Sequence, residues 1–206
     1  MKVISIRILV GLALIFSLAS CGNSSDAVNE NDEAGNDLKE VVYAIDSSSS
    51  EIIWYGTMLG MYSHSVTLKV KSGSVIMVGD KVTGGDIIVD MTSIFPNDGN
   101  YSEEKTKAML AKHLGSADFF DVEGFPEASF KMFSAEKGEL TIKGESEVIG
   151  LSEYDKTKGD GTIALKGEFT FDRKHFAVAF EHPLKENVIS DEIQCIFKIN
   201  GLRVKI

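Results

Sequence analysis

The stretch TIALKGEFTF, residues 162 to 171, constrains the fold more than any other. Ile163, Leu165, Phe169 and Phe171 share one parity, while Thr162, Lys166, Glu168 and Thr170 share the other. A period of two belongs to an antiparallel strand with one dry and one wet face. The same period recurs in SVTLKVKSG, GELTIKGE, HFAVAF and EIQCIFKI, and glycine-bearing turns are expected at Gly73, Gly79, Gly84 with Gly85, Gly138 and 159–161. About eight strands are predicted in this way. One helix is predicted over SEEKTKAMLAKHL, with Ser102 as its cap and Gly115 as its stop. Many short antiparallel strands, one helix and only three prolines point to a barrel or a sandwich. Alternation alone leaves open whether the interior is filled by its own side chains or by a guest.

The chain opens MKVISIRILVGLALIFSLASC, with Lys2 and Arg7 ahead of an apolar run that ends in small residues. That pattern reads as a signal peptide over residues 1–20, too short to span a bilayer comfortably. Leu18, Ala19, Ser20 and Cys21 resemble the lipobox of bacterial lipoproteins. The resemblance implies that Cys21 carries acyl chains and tethers the protein to a membrane, since two or more chains make a stable anchor. The second cysteine, Cys195, shares strand parity with Ile193, Phe197 and Ile199 and reads as a small buried hydrophobe without a disulfide partner. Residues 22–40 are rich in Asn, Ser, Gly and acid, and are read as a flexible spacer. Gly22, where an aspartate would signal inner-membrane retention, leaves an outer-membrane address in the cell envelope, with the domain facing either the periplasm or the exterior.

The remaining residues 41–206 have the length of one domain. They carry 25 acids against 18 cations, a net of −7. Such a surface repels phosphate backbones, and no basic stripe with interleaved aromatics is present, which argues against nucleic acid as a partner.

Six blocks, in order, resemble the YceI-like family: SSSSEIIWYG, SHS followed by KSGSV, GGDIIVDMTSI, HLGSADFFDVEGFPEASFK, GELTIKG and GEFTFDRKHFAVAF. The resemblance runs from about Ile45 to Ile199. It implies an all-β, extended, lipocalin-like antiparallel barrel whose apolar channel holds an isoprenoid tail, polyprenyl or quinone-like, with the head group at the mouth. It also implies a binding protein without cofactor or catalytic residue, and the pairing of some members makes a homodimer conceivable.

Inward strand parity then names the side chains expected to touch the tail: Trp54, Leu68, Val70, Ile88, Phe130, Met132, Ile142, Leu165, Phe169, Phe171, Val178, Phe180 and Phe197. The block HLGSADFFDVEGFPEASF admits two readings. His113, Asp118 and Asp121 could hold a divalent cation in a metal-dependent enzyme, but their spacing is poor for a convergent ligand set. The favoured reading is a corner after the helix, with Asp118 and Asp121 bonding turn amides and Phe119 and Phe120 dropping into the barrel. A dry-cored surface or stress lipoprotein is the third possibility. His64, His175 and His182 are scattered in sequence, and Asp172, Arg173 and Lys174 are expected to form surface ion pairs.

Overall fold

The computed structural model describes residues 39–184 and 188–205. The signal segment, Cys21 and the spacer up to Leu38 lie outside the described residues. Alternation produces ten strands: β1 (Glu40–Ile45), β2 (Glu51–Met58), β3 (Tyr62–Val78), β4 (Lys81–Pro96), β5 (Glu127–Met132), β6 (Lys137–Ile142), β7 (Glu145–Gly150), β8 (Ser152–Lys158), β9 (Thr162–Asp172) and β10 (Glu192–Arg203). Helix α1 (Lys107–Gly115) follows β4, and a 3₁₀ turn, Arg173–Phe176, follows β9.

Every strand pairing is antiparallel, in the order β7-β6-β5-β4-β3-β1-β10-β9-β8, with β2 also between β3 and β10. Ten strands make eight lanes. β1 and β2 run in the same direction along one lane, β1 beside the C-terminal half of β3 and β2 beside its N-terminal half. The step between them is a tight turn in which Asp46 accepts from the Ser48 amide at 3.0 Å and from the Ser49 hydroxyl at 2.7 Å. β7 and β8 are likewise one piece of chain interrupted at Leu151, the first half pairing with β6 and the second with β9. The two edges of the sheet are thus joined by the chain itself, which gives the expected antiparallel barrel.

Three local expectations differ from the structure. Gly73 lies within β3, Gly84 and Gly85 within β4 and Gly138 within β6 rather than in turns, with φ of 149° at Gly73 and 142° at Gly85. A Cβ on Gly73 would stand 2.1 Å from the Asp86 carbonyl oxygen, and one on Gly85 would stand 2.4 Å from that of Ser74. The pair lets two long strands approach and bend together where any side chain would collide. HFAVAF is not a strand: Asp172 accepts from the Lys174 amide at 2.8 Å, and Ala177 turns left-handed with φ 54°. Helix α1 starts later than expected, because Thr106, not Ser102, caps it through its hydroxyl, which accepts from the Met109 amide at 3.3 Å. The predicted stop at Gly115 coincides with the helix end.

Candidate functional site

The inward side chains of the barrel line two chambers that share part of their wall. The outer chamber, about 400 Å³, opens at the end formed by the β2–β3 turn, α1, the Phe119–Phe120 corner and the segment from Val178 to Pro183. The inner one, about 70 Å³, lies among Ile52, Leu68, Ile87, Phe130, Leu165 and Phe197. Trp54, Phe120 and Phe171 line both and form the shared wall. At the opposite end β8 is tied to the β3–β4 turn, with Lys156 donating to the Asp80 carbonyl and Lys158 pairing with the Asp80 carboxylate at 2.9 Å.

The aromatic walls are interlocked. Phe169 stacks on Phe130 with centroids 5.9 Å apart, and Phe171 meets Phe176 edge-on at 5.2 Å. Trp54 is held edge-to-face by Phe120 at 6.0 Å. Its outer ring lies over Gly56, where a Cβ would stand 2.5 Å from Cη2. Gly138 makes the same allowance for Phe130, whose Cζ lies 2.4 Å from the Cβ position.

Of the thirteen side chains expected to face a guest, eleven line a chamber: Trp54, Leu68, Phe130, Met132, Ile142, Leu165, Phe169, Phe171, Val178, Phe180 and Phe197. Two do not. Ile88 points away from the interior, between Asp86 and Asp90 on the wet face, while Ile87 and Val89 point inward. Val89 pairs with inward-facing Val70, so its neighbour Ile88 faces the other side of the sheet, opposite Ser72. Val70 is buried beside the same shift but touches neither open space.

The mouth is polar, and the sequence reading missed its organisation. Asp98 accepts from the Tyr101 hydroxyl at 2.7 Å, the Asn100 amide at 2.8 Å, the Ser65 amide at 3.0 Å and His64 Nδ1 at 3.1 Å. Burial alone would raise its pKa, but these donors outweigh it and bring the group down to about 2. Because the ionised carboxylate only accepts, His64 carries its proton on Nδ1, which leaves Nε2 as its remaining polar atom. Tyr101 stacks on the imidazole at 5.1 Å and Tyr62 meets its edge at 4.9 Å. Burial, then the adjacent carboxylate, raises the Tyr101 phenol and keeps it neutral. Thirty-odd residues separate His64 from its partners, so no local motif announces the cluster.

The corner HLGSADFF supplies the chamber wall. Phe119 and Phe120 are buried, and His113 sits between Phe119 at 5.0 Å and Phe180 at 4.8 Å rather than over the helix end alone. Asp121, at φ 48°, shapes the following turn through its main-chain carbonyl, which accepts from the Gly124 and Phe125 amides at 3.0 and 2.7 Å, in place of the side-chain bonds expected from Asp118 and Asp121. Among the described residues, no three His, Cys, Asp or Glu side chains converge as a metal site. Arg173 is a further correction. It is 3% exposed instead of forming a surface pair, and donates to the carbonyls of Val178, Phe180 and Ser190 at 2.7, 3.0 and 3.1 Å and to Asp191 at 2.9 Å. Those bonds hold in place the irregular segment that carries Val178 and Phe180. Cys195 is buried and free, its thiol pushed well above the ordinary range by burial.

A family profile described as YceI-like domain matches residues 43–200. No curated protein matches the chain. Among solved structures it is similar to BcnA of Burkholderia cenocepacia, at 18% identity and TM-score 0.57, over 76% of this chain and 98% of that one. It is also similar to a polyisoprenoid binding domain from Saccharophagus degradans implicated in plant cell wall breakdown, at 10% identity and TM-score 0.57, over 79% of this chain and 98% of that one. Both likenesses concern the fold.

Proposed function

The chain belongs to the YceI-like domain family, and on that premise we propose that it binds a lipid without catalysis, holding an isoprenoid tail in the barrel and the head group at its mouth. The observation that carries this reading is the pair of adjoining chambers: an inner space lined, Ser129 aside, by hydrocarbon, aromatic and sulfur groups, sharing its Trp54–Phe120–Phe171 wall with an outer space edged by His64, Tyr101, Lys105 and His182. Apolar tail surface removed from water contributes ~25 cal/mol per Å², which supplies affinity with no reacting group. The isoprenoid class is suggested by the description of the Saccharophagus domain as polyisoprenoid binding.

The cellular half of the proposal rests on sequence. Residues 1–20 act as a lipoprotein signal, Cys21 is acylated, residues 22–40 are the spacer, and the domain over 41–206 serves as a carrier or reservoir in the envelope, with an outer-membrane address. Native mass spectrometry of the protein purified from its own cells tests the binding. A co-purifying lipid mass is expected. A chain that carries none, and takes up no isoprenoid quinone or prenyl phosphate after delipidation, refutes the reading. Acylation at Cys21 is tested separately by intact mass, with Cys21→Ser as the control.

A further inference from the structure

The large apolar side chains that the fold leaves in water are not spread evenly. Among the described residues eleven are exposed, and five of them, Leu59, Met61, Met109, Leu184 and Val188, each between 50% and 57% exposed, stand at the open end of the outer chamber. Leu59 and Met61 flank the tip of the β2–β3 turn, between the chamber residues Met58 and Tyr62. Met109 is on α1 and itself lines the chamber, while Leu184 and Val188 adjoin the lining residues Pro183 and Ile189. The Leu59 amide donates to the Val188 carbonyl at 2.8 Å, which joins two of these pieces of chain. The other six are dispersed over β4, β7, the end of β10 and the turns flanking β5. Apolar side chains gathered in water in this way mark a surface that meets a partner or a membrane.

We propose that this collar docks on a zwitterionic lipid surface, sinking into the boundary between head groups and acyl chains with the chamber mouth turned toward the bilayer. The docking goes beyond the lipid-binding reading and needs no guest in the barrel. The five side chains stand around an opening, so a rigid protein partner would lack the packed centre in which interface energy concentrates, whereas a fluid surface needs none. Tyr62, Tyr101 and Lys105 line the chamber beside the collar, and tyrosine rings and lysine stems of this kind lie at head-group level in membranes. The charges there are mixed, with Lys105 and Lys107 around the start of α1 against Glu103, Glu104 and Glu181, and residues 41–206 carry a net of −7. Such a rim has no excess of cations to draw it to an anionic surface, and a zwitterionic one suits it. The acyl anchor proposed at Cys21 keeps a lipid surface within reach. β1 begins at the far end of the barrel, where Glu40 pairs with Val78, and the chain from Cys21 to Glu40 spans at most about 65 Å. The 17 residues of β3 cover about 56 Å, so the mouth can turn back to the surface that holds the anchor.

The probe is a vesicle of dioleoylphosphatidylcholine, with no guest added. In the full-length chain carrying Cys21→Ser, Cys195 is buried and does not label, so one introduced cysteine takes the environment-sensitive fluorophore NBD. Met61→Cys and Met109→Cys place it on two elements of the collar, and Asp160→Cys places it in the β8–β9 turn, at the end away from the mouth. On vesicles the Met61 and Met109 labels are expected to shift to the blue and to be quenched by doxyl lipid in the bilayer, and the Asp160 label to do neither. Leu59→Asp with Leu184→Asp, two exposed positions where folding is not at stake, should abolish the response of the Met109 label. A response that survives those two changes, one shared alike by all three labels, or none at the mouth overturns the proposal. So does a mouth label that shifts without vesicles as protein concentration rises, which would give the collar to a second copy of the chain. Because no guest is used, a chain that docks yet carries no lipid refutes the lipid-binding reading and leaves the docking surface standing.

Discussion

Gly56→Ala is the smallest change that reaches the wall shared by the two chambers. Gly56 has ordinary extended backbone, so alanine is not strained by conformation; the obstacle is space alone. A Cβ there would stand 2.5 Å from Trp54 Cη2, 3.0 Å from Cζ3 and 3.1 Å from Cζ2, closer than carbon atoms approach without displacement. Three contacts to one rigid ring cannot be relieved by the far end of a flexible chain. The indole must move as a body, with Phe120 packed against it at a centroid distance of 6.0 Å. Overpacking of this kind costs typically about 1–3 kcal/mol. Replacing glycine within a strand returns roughly 0.5–1 kcal/mol through lost unfolded-state freedom. The expected net is a destabilisation of about 1–2 kcal/mol, a fall in Tm of about 2–8 °C at this chain length. Differential scanning calorimetry reads the Tm, and emission from the sole tryptophan reads the ring's surroundings. An unchanged Tm together with an unchanged emission spectrum would refute the reasoning, because the ring would then have had room that the geometry denies it.

Three other perturbations test separate parts of the account. Phe169→Asp places an unpaired carboxylate against the Phe130 ring and the tail space, so lipid retention should fall sharply, while Lys166→Asp on the outer face should leave it nearly unchanged; circular dichroism first confirms that both fold, and equal retention would return these phenylalanines to an ordinary packed core. Asp98 has its pKa lowered from 3.8 to about 2, so its contribution is fully present above pH 4 and lost as pH falls through 2. Asp98→Asn should therefore flatten stability against pH across that window, measured by urea unfolding at successive pH values, and a slope equal to that of the unaltered protein would disprove the role. Arg173→Lys keeps the charge but cannot span three carbonyls and Asp191 with one ammonium; a loss of about 3 kcal/mol in urea unfolding is expected, and a loss below about 0.5 kcal/mol would show that the fork geometry is dispensable.

The fold was legible along most of the clean alternations, HFAVAF being the exception. β9 reads the same in sequence and structure, because each residue pair along TIALKGEFTF has one apolar and one polar or small member. Legibility failed where three apolar residues run together, as at Ile87, Ile88 and Val89. There the flanking Asp86 and Asp90, which share the parity of Ile88, carried the only local sign that it faces water. Arg173 shows a different limit. Its burial depends on carbonyls five, seven and seventeen residues away, held in an irregular segment that no periodicity describes. The apolar walls follow from parity, whereas the His64–Asp98–Tyr101 mouth depends on β3 meeting the loop after β4 and had no signature along the chain.

The lane shared by β1 and β2 has a consequence for how the molecule comes into being. Its partner on one side is β3, its neighbour in sequence, but on the other it is β10, the last strand. Ser50 and Asn200, joined by two hydrogen bonds, lie 150 residues apart. Contacts of such high order place a domain among the slower folders, in milliseconds to seconds, since the loop must be closed before the contacts reward it. Until the twelve residues of β10 arrive, β2 presents an unpaired edge that includes Ile52 and Trp54, and β9 lacks its longest ladder. A nascent chain therefore has no enclosed space to offer a guest. The barrel is completed only when β10 has joined both β2 and β9.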